Sequence, residues 1–244
     1  MRTTTQDKIQ ENTQATPQSR TRRIDATRTV STGADPLLYE TALDYIDGQT
    51  KAEFLADKYQ SVLGGSVLDV GCGRRYLASC LPATTRYVGV DFKQPCDVLV
   101  DLERGVLPFA DKSFDTVVCA DVLEHLDAAH AMLDSLCRVS ASHVIIALPN
   151  PVRDFLVNLF AGSDGRLVYY GFPEENPGNR HRWFFGFDEA EAFVRAGASR
   201  NGFEVEQLES VHDGCNYWLN AEGENVLAHP NIVRGQLWAV LKRA

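Results

Sequence analysis

The 244-residue chain lacks the features that would place it in a membrane or in an oxidising compartment. No apolar run approaches the ~18 residues that a membrane-spanning helix needs, and the first residues contain no apolar core typical of signal peptides. The six cysteines are scattered, without a C-x-x-C pair or a Cys/His spacing typical of zinc sites. These absences predict a cytoplasmic protein without a disulfide framework or structural zinc.

Positive charge is also scarce. The net charge is −9, and it divides into +3 for residues 1–33 and −12 for the remainder. Non-specific binding to nucleic acid depends on Lys and Arg side chains that neutralise phosphates. The acidic body therefore argues against a nucleic-acid partner and favours a small-molecule substrate.

Apolar residues are rare in the first part of the chain. Residues 1–33 are rich in Thr, Gln and Arg, so they cannot bury enough surface to offset the entropy lost on ordering. A targeting peptide is the alternative interpretation, but Asp7 and Glu11 argue against one. We predict a disordered tail over 1–33 and one domain over 34–244.

Within that domain, helical and strand-like patterns alternate. The spacing of apolar residues predicts helices at 37–46, 54–59, 75–80, 127–139 and 187–196, and strands at 66–70, 87–90, 97–100, 114–120, 143–148, 203–209 and 235–242. Strands separated by helices are typical of an α/β fold, in which helices cover both faces of a mostly parallel sheet.

A glycine-containing turn follows the first of these strands. The segment that ends in Gly71-Cys72-Gly73 allows a sharp turn and close approach of the backbone to a ligand, and the next helix offers unpaired N–H groups. A dinucleotide fingerprint needs a third glycine where Tyr76 stands, and the Gly-Lys-Ser/Thr of a P-loop is absent. Binding of NAD or ATP is therefore disfavoured.

Carboxylates follow the next three strands. Asp91 lies 18 residues after Gly73, where it can accept hydrogen bonds from a ribose diol. Asp101 is placed to accept from an exocyclic adenine amine, and Asp121 and Glu124 follow the fourth strand. Ligands of open α/β sheets bind beyond the carboxyl ends of the strands, so these residues predict a nucleoside site at that edge.

Four segments in order resemble class I S-adenosylmethionine (SAM)-dependent methyltransferases. They are 67–73 (VLDVGCG), 88–91 (VGVD), 107–115 (LPFADKSFD) and 122–126 (VLEHL). The resemblance is to the methyltransferase type 11-like, bacterial small-molecule and glycan-pathway type. It implies SAM as cofactor and a Rossmann-like, doubly wound sheet of seven strands, mostly parallel with an antiparallel last strand.

The resemblance also assigns the part of the site that holds the methionine and ribose of SAM. Asp69, Gly71 and Gly73 would hold the methionine moiety, and Asp91 would hold the ribose hydroxyls. Arg75 stands where the family often has a further glycine, so it would pair with the cofactor carboxylate or with substrate.

The remaining cofactor contacts follow from the same alignment of motifs. Phe92, Asp101 and Leu102 would contact the adenine, and Ala120 would lie near the transferred methyl group.

Two long segments, 151–186 and 212–231, are predicted to form the acceptor side, because long excursions in a compact domain are usually lids or binding loops. His125 and His181 are the candidate catalytic bases. The alternative for His125 is a cap of the following helix. The predicted reaction is methylation, at oxygen, of a small molecule or glycan precursor.

A metal-assisted mechanism remains an alternative. Asp121-x-x-Glu124-His125 with His181 is similar to a pattern in ubiquinone-pathway O-methyltransferases and small-RNA terminal 2′-O-methyltransferases, which use a divalent metal there. Asp121 replaces the first Glu of that pattern, which shortens its reach, and no metal ligand is assigned. RNA 2′-O-methylation and a non-catalytic SAM-binding role are therefore the competing functions.

Overall fold

The computed structural model describes residues 30–31, 38–42, 45–160, 169–172, 174–175, 180–212 and 229–244. We predict disorder for residues 1–33, and of these only 30–31 lie within the described ranges. Residues 161–168, 173 and 176–179 of the first predicted lid and 213–228 of the second lie outside them as well. No helix in the described ranges is both long enough and apolar enough to cross a membrane.

The described ranges form strands and helices in alternation. The strands are β1 (Val30–Ser31), β2 (Leu38–Ala42), β3 (Ser66–Val70), β4 (Arg86–Asp91), β5 (Val98–Leu99), β6 (Phe114–Ala120), β7 (Ser140–Leu148), β8 (Phe203–His212) and β9 (Gln236–Arg243). The helices are α1 (Gly48–Lys58), α2 (Tyr76–Cys80), α3 (Ala129–Val139), α4 (Pro151–Phe160), α5 (Phe187–Arg200) and α6 (Pro230–Val233). Two 3-10 turns span Leu102–Arg104 and Leu123–His125.

All strands join one sheet in the order β1-β2-β8-β9-β7-β6-β3-β4-β5. The last strand, β9, runs antiparallel to β7 and β8, whereas the strands from β7 to β5 pair in parallel. The predicted α/β class, mostly parallel sheet and antiparallel last strand are confirmed. The seven predicted strands are β3 to β9, and the described sheet has nine because β1 and β2 extend it beyond β8.

The helix predicted over 37–46 is wrong. Residues 38–42 form β2, which pairs in parallel with residues 208–212 of β8 and buries Leu38. The apolar spacing there fits either element, but the edge of β8 offers unpaired backbone groups that only an extended segment can satisfy. The helix predicted after Gly48 is present as α1.

Helices cover both faces of the sheet. Successive side chains of a strand point to opposite faces, and the neighbours Val67 and Leu68 of β3 accordingly belong to different buried clusters. Leu133 of α3 joins the cluster of Leu68, and Phe54 of α1 joins that of Val67. Because β3, β4 and β6 run in parallel, the loops at their carboxyl ends meet along one edge.

Candidate active site

The glycine turn after β3 requires left-handed backbone at two positions. Gly71 has φ 75° and Gly73 has φ 52°. A Cβ atom at Gly71 would lie 2.2 Å from Cγ2 of Val122, whereas a Cβ atom at Gly73 would meet no atom within 4 Å. The turn is therefore packed against the segment after β6 on one side and open at Gly73, where a ligand has room.

Asp91 ends β4 beside this turn. It is 4% exposed, and its carboxylate accepts hydrogen bonds from the backbone N–H groups of Gly73 (3.0 Å) and Lys93 (3.2 Å). An ionised carboxylate offers about four acceptor positions. Asp91 thus keeps capacity for two hydroxyl donors, which fits the ribose diol of SAM.

Asp69 lies behind the turn on β3. It is buried, and Oδ2 accepts a hydrogen bond of 2.7 Å from the hydroxyl of Tyr87. Burial raises the pKa of the Asp69 carboxyl to about 6, although the Tyr87 hydrogen bond acts in the opposite direction. No sequence motif indicated Tyr87, because a tyrosine in the middle of a strand is ordinary.

The residues predicted to contact adenine lie on the loops after β4 and β5. The Phe92 ring is 59% exposed, and the Asp101 side chain is exposed and accepts from the backbone N–H of Glu103 (3.3 Å) at the start of the first 3-10 turn. The side chain of Leu102 is buried in the core. Leu102 therefore has only its backbone to offer a ligand.

Arg75 has a different partner from the predicted one. Its guanidinium pairs with Asp97 at 2.9 Å and lies over the Tyr87 ring, with 5.6 Å from Cζ to the ring centroid. The prediction that Arg75 contacts the cofactor carboxylate or substrate stays a prediction beside this ion pair. Its backbone is left-handed, with φ 62°, a conformation that glycine adopts at lower cost.

The two candidate bases face each other on the acceptor side, with ring centroids 4.5 Å apart. The Nδ1 atom of His125 lies 3.2 Å from the carbonyl oxygen of Arg180, which can only accept, so Nδ1 carries the proton. The Tyr170 hydroxyl donates to the carbonyl of Trp183 (2.7 Å) and lies 3.0 Å from Nδ1 of His181. His181 Nδ1 is therefore a donor too, and Nε2 is the nitrogen that each ring leaves unprotonated in its neutral form.

His181 is held neutral by its surroundings. It is buried and stacks on Tyr169 at 4.2 Å, and burial followed by the proximity of His125 lowers its pKa to about 4. The alternative role of His125 as a helix cap is not supported, because Ala128 occupies the N-cap of α3 and His125 ends the preceding 3-10 turn.

Glu124 contributes a buried carboxyl next to the histidines. Its Oε2 atom has no hydrogen-bond partner among the described residues, and burial raises its pKa well above the usual range. Donor atoms of Glu124, His125 and His181 all lie within 4.8 Å of one another. Asp121, the fourth member of the predicted metal pattern, instead accepts from Lys51 and from the side chain of Gln236.

Two cavities share Glu124 as a lining residue. The first, here called the polar cleft, has a volume of about 360 Å³ and is lined by residues that include Lys51, Asp121, Glu124, His125, Tyr169 and His181. The second, here called the aromatic cavity, has a volume of about 230 Å³ and is lined by residues that include Leu123, Glu124, His130, Trp183, Phe184 and Phe193.

Sequence reasoning missed one side of the polar cleft. Tyr45 donates to Gln236 and accepts from Nε1 of Trp238 (3.0 Å), and Lys51 reaches Asp121 from α1. These residues come from distant parts of the chain and match no motif. Ala120, predicted to lie near the methyl group, ends β6 in register with Ala147 of β7 and is half-buried.

The sequence profile of the methyltransferase domain family matches residues 46–208. A curated relative, the bifunctional methionine biosynthesis protein MetXA/MetW of Rhodopirellula baltica, is 33% identical over an alignment that covers 36% of this chain. The chain spans only 17% of the length of that relative.

Solved structures share the fold at low sequence identity. A SAM-dependent methyltransferase from Archaeoglobus fulgidus superposes with a TM-score of 0.57 at 17% identity, covering 80% of this chain and 95% of the other. Magnesium protoporphyrin IX methyltransferase from Synechocystis PCC 6803, solved with bound S-adenosylhomocysteine, gives a TM-score of 0.50 at 18% identity, covering 80% and 83%.

Proposed function

We propose that this chain, which belongs to the methyltransferase domain family, transfers a methyl group from SAM to an oxygen atom of a small-molecule acceptor. The observation that carries the proposal is the meeting of two sites at one sheet edge. The glycine turn and Asp91, which are joined by a hydrogen bond, lie beyond β3 and β4 with open space at Gly73, and His125, which follows β6, lies with its ring 4.5 Å from that of His181.

The cofactor side follows from the chemistry of its residues. The open space at Gly73 and the acceptor capacity of Asp91 suit the ribose of SAM, and the buried carboxyl of Asp69 suits an amine donor. The exposed ring of Phe92 and the carboxylate of Asp101 suit the face and the exocyclic amine of adenine. Bound SAM supplies a methyl group already activated on a sulfonium.

The chain then has to orient an acceptor hydroxyl and take its proton. As the new O–CH₃ bond forms and the S–CH₃ bond breaks, the hydroxyl proton passes to Nε2 of one of the two facing histidines. Because the proximity of His125 lowers the pKa of His181, a proton on one ring disfavours a proton on the other. Arg180 and Tyr170 keep the rings in the tautomer that makes Nε2 the proton acceptor.

Calorimetric titration with SAM tests the cofactor site. Wild-type protein should bind SAM with a micromolar dissociation constant, and Asp91→Ala should weaken binding by at least tenfold, because the two ribose hydroxyls lose a charged acceptor. Asp57→Ala removes an exposed carboxylate of α1 and serves as the matched control. Absence of SAM binding by folded wild-type protein would contradict the proposal.

A second candidate is metal-assisted methylation. It is supported by the grouping of Glu124, His125 and His181 and by the Nδ1–H bonds, which make Nε2 the unprotonated nitrogen of each neutral ring. It is opposed by the pairing of Asp121 with Lys51. Saturable binding of Mn²⁺ or Zn²⁺ that is lost in His181→Gln would favour it, and full methyl transfer after exhaustive chelation would rule it out.

A further inference from the structure

The aromatic cavity lies at the same sheet edge as the proposed reaction site. Leu123 and Glu124 follow β6, and Leu148 ends β7, so its floor is formed where these parallel strands finish. Glu124 lines the aromatic cavity and the polar cleft alike. Glu124 is therefore the residue through which the aromatic cavity adjoins the polar cleft that His125 and His181 line.

Apolar rings dominate the lining of the cavity. Trp183, Phe184 and Phe193 surround it, and the rings of His130 and Phe193 meet edge to face at 5.0 Å. Trp183 and Phe184 stay 41% and 50% exposed, although each carries a large apolar surface. Exposed rings beside a concave apolar site are typical of ligand binding and favour another aromatic ring.

The few polar groups of the lining are mostly engaged. Nε1 of Trp183 donates to the carbonyl of Leu126 (2.8 Å), and Glu189 accepts from the backbone N–H of Gly186 (2.9 Å). Glu124 differs, because its buried Oε2 atom has no hydrogen-bond partner among the described residues. The polar contacts that the cavity offers to a ligand are thus few, and Oε2 of Glu124 is the one at the boundary with the polar cleft.

Size and polarity together define the ligand class. A dry apolar cavity of about 150 Å³ holds benzene, so about 230 Å³ accommodates one ring with a few further atoms. A sugar of similar size would bury several hydroxyls without partners, at a cost of about 1–3 kcal/mol each.

We propose that the aromatic cavity binds the ring of a phenol-like acceptor, whose hydroxyl lies at Glu124 and faces the two histidines. This inference rests on the proposed function and names its acceptor class. In this arrangement the cavity walls determine which ring is accepted, and Glu124 orients the hydroxyl that becomes methylated.

Calorimetry with 4-methylphenol and the full chain tests the inference. We expect saturable binding with a dissociation constant at or below about 1 mM, a range that an eight-atom ligand can reach. Phe184→Ala should weaken it at least fivefold, and Ala190→Leu should abolish it by filling the cavity. Phe172→Ala, which removes a ring that is 98% exposed, is the matched control and should bind as wild type.

SAM is titrated into every variant as an independent measure of folding and of the cofactor site. Absence of SAM binding by the wild-type protein would contradict the proposed function. Binding of 4-methylphenol is measured in a separate titration, so the two proposals can fail independently. Three results would overturn the inference: no saturable 4-methylphenol binding, equal binding by Phe184→Ala and wild type, or binding of methyl α-glucoside in place of the phenol.

Discussion

Gly71 and Gly73 share a left-handed backbone but differ in their surroundings. Alanine at either position adopts a positive φ at a cost of about 1 kcal/mol. At Gly71 the new methyl group also overlaps Val122, which adds about 2 kcal/mol of overpacking, whereas Gly73 has open space. Urea denaturation should therefore show a larger loss of unfolding free energy for Gly71→Ala than for Gly73→Ala, and equal losses would contradict the packing described for the turn.

Single residues also show how far the sequence could predict the site. The sequence identifies Asp91 and Gly73 because both follow a predicted strand, where a carboxylate and a glycine are typical of ligand sites. The structure joins them by a hydrogen bond. Lys51 and Tyr87 were not found, because their partners lie far away in sequence and depend on how the elements pack. The sequence predicts a ligand contact for Arg75 but gives no sign of its ion pair with Asp97, which depends on how the two loops pack.

At the scale of elements, one buried carboxylate connects three of them. Glu209 of β8 has a fully buried side chain, and Oε2 accepts from Thr41 of β2 (3.0 Å) and pairs with Lys58 of α1 (3.1 Å). Removing one partner of a buried ion pair leaves the other charge without compensation. Glu209 therefore connects α1, through Lys58, and β2, through Thr41, to β8 at the edge of the seven predicted strands.

Lys58→Met should lower the free energy of unfolding by about 2 kcal/mol, less than for a fully buried pair because Lys58 is 23% exposed. Adding Glu209→Gln should recover part of that loss, since the uncompensated charge disappears. Lys242→Met breaks the exposed pair with Glu206 and should cost under about 0.5 kcal/mol. Urea denaturation measures all three, and similar losses for the two lysine variants would contradict the role of Glu209.

The wrong helix at 37–46 is also a lesson at this scale. Local spacing distinguished the buried strands β3, β6 and β7 well, since each is a compact apolar run flanked by turn residues. It failed for β2 because that strand exists through its pairing with β8, some 170 residues later in the chain. The antiparallel direction of the last strand follows from the family resemblance, because the residues of that strand do not indicate its direction.

For the whole molecule, titration of His181 links the acceptor site to global stability. The pKa of His181 is about 4 in the folded protein, below its ordinary value of 6.5. As pH falls from about 6.5 towards 4, the unfolded chain takes up a proton that the folded protein does not. Wild type should therefore lose stability relative to His181→Gln over this window.

Thermal and urea denaturation of both proteins between pH 4 and 8 measure this difference. Below pH 6.5, we expect the unfolding free energy of wild type to fall relative to that of His181→Gln by on the order of 1 kcal/mol. This value allows for solvent screening. Well above the ordinary pKa the difference should stay constant, because His181 is then neutral in the folded and the unfolded state. A gap that does not change with pH would contradict the burial of His181.

The ends of the sheet have a consequence for how copies of this protein behave in concentrated solution. Its outermost described strands, β1 and β5, are only two residues long. Short outer strands expose few backbone N–H and C=O groups to a neighbouring chain, which is a known protection against strand-to-strand aggregation. The central strands β3, β6 and β7, which carry the reaction site, each have a paired strand on both sides and therefore offer no free edge to a second copy.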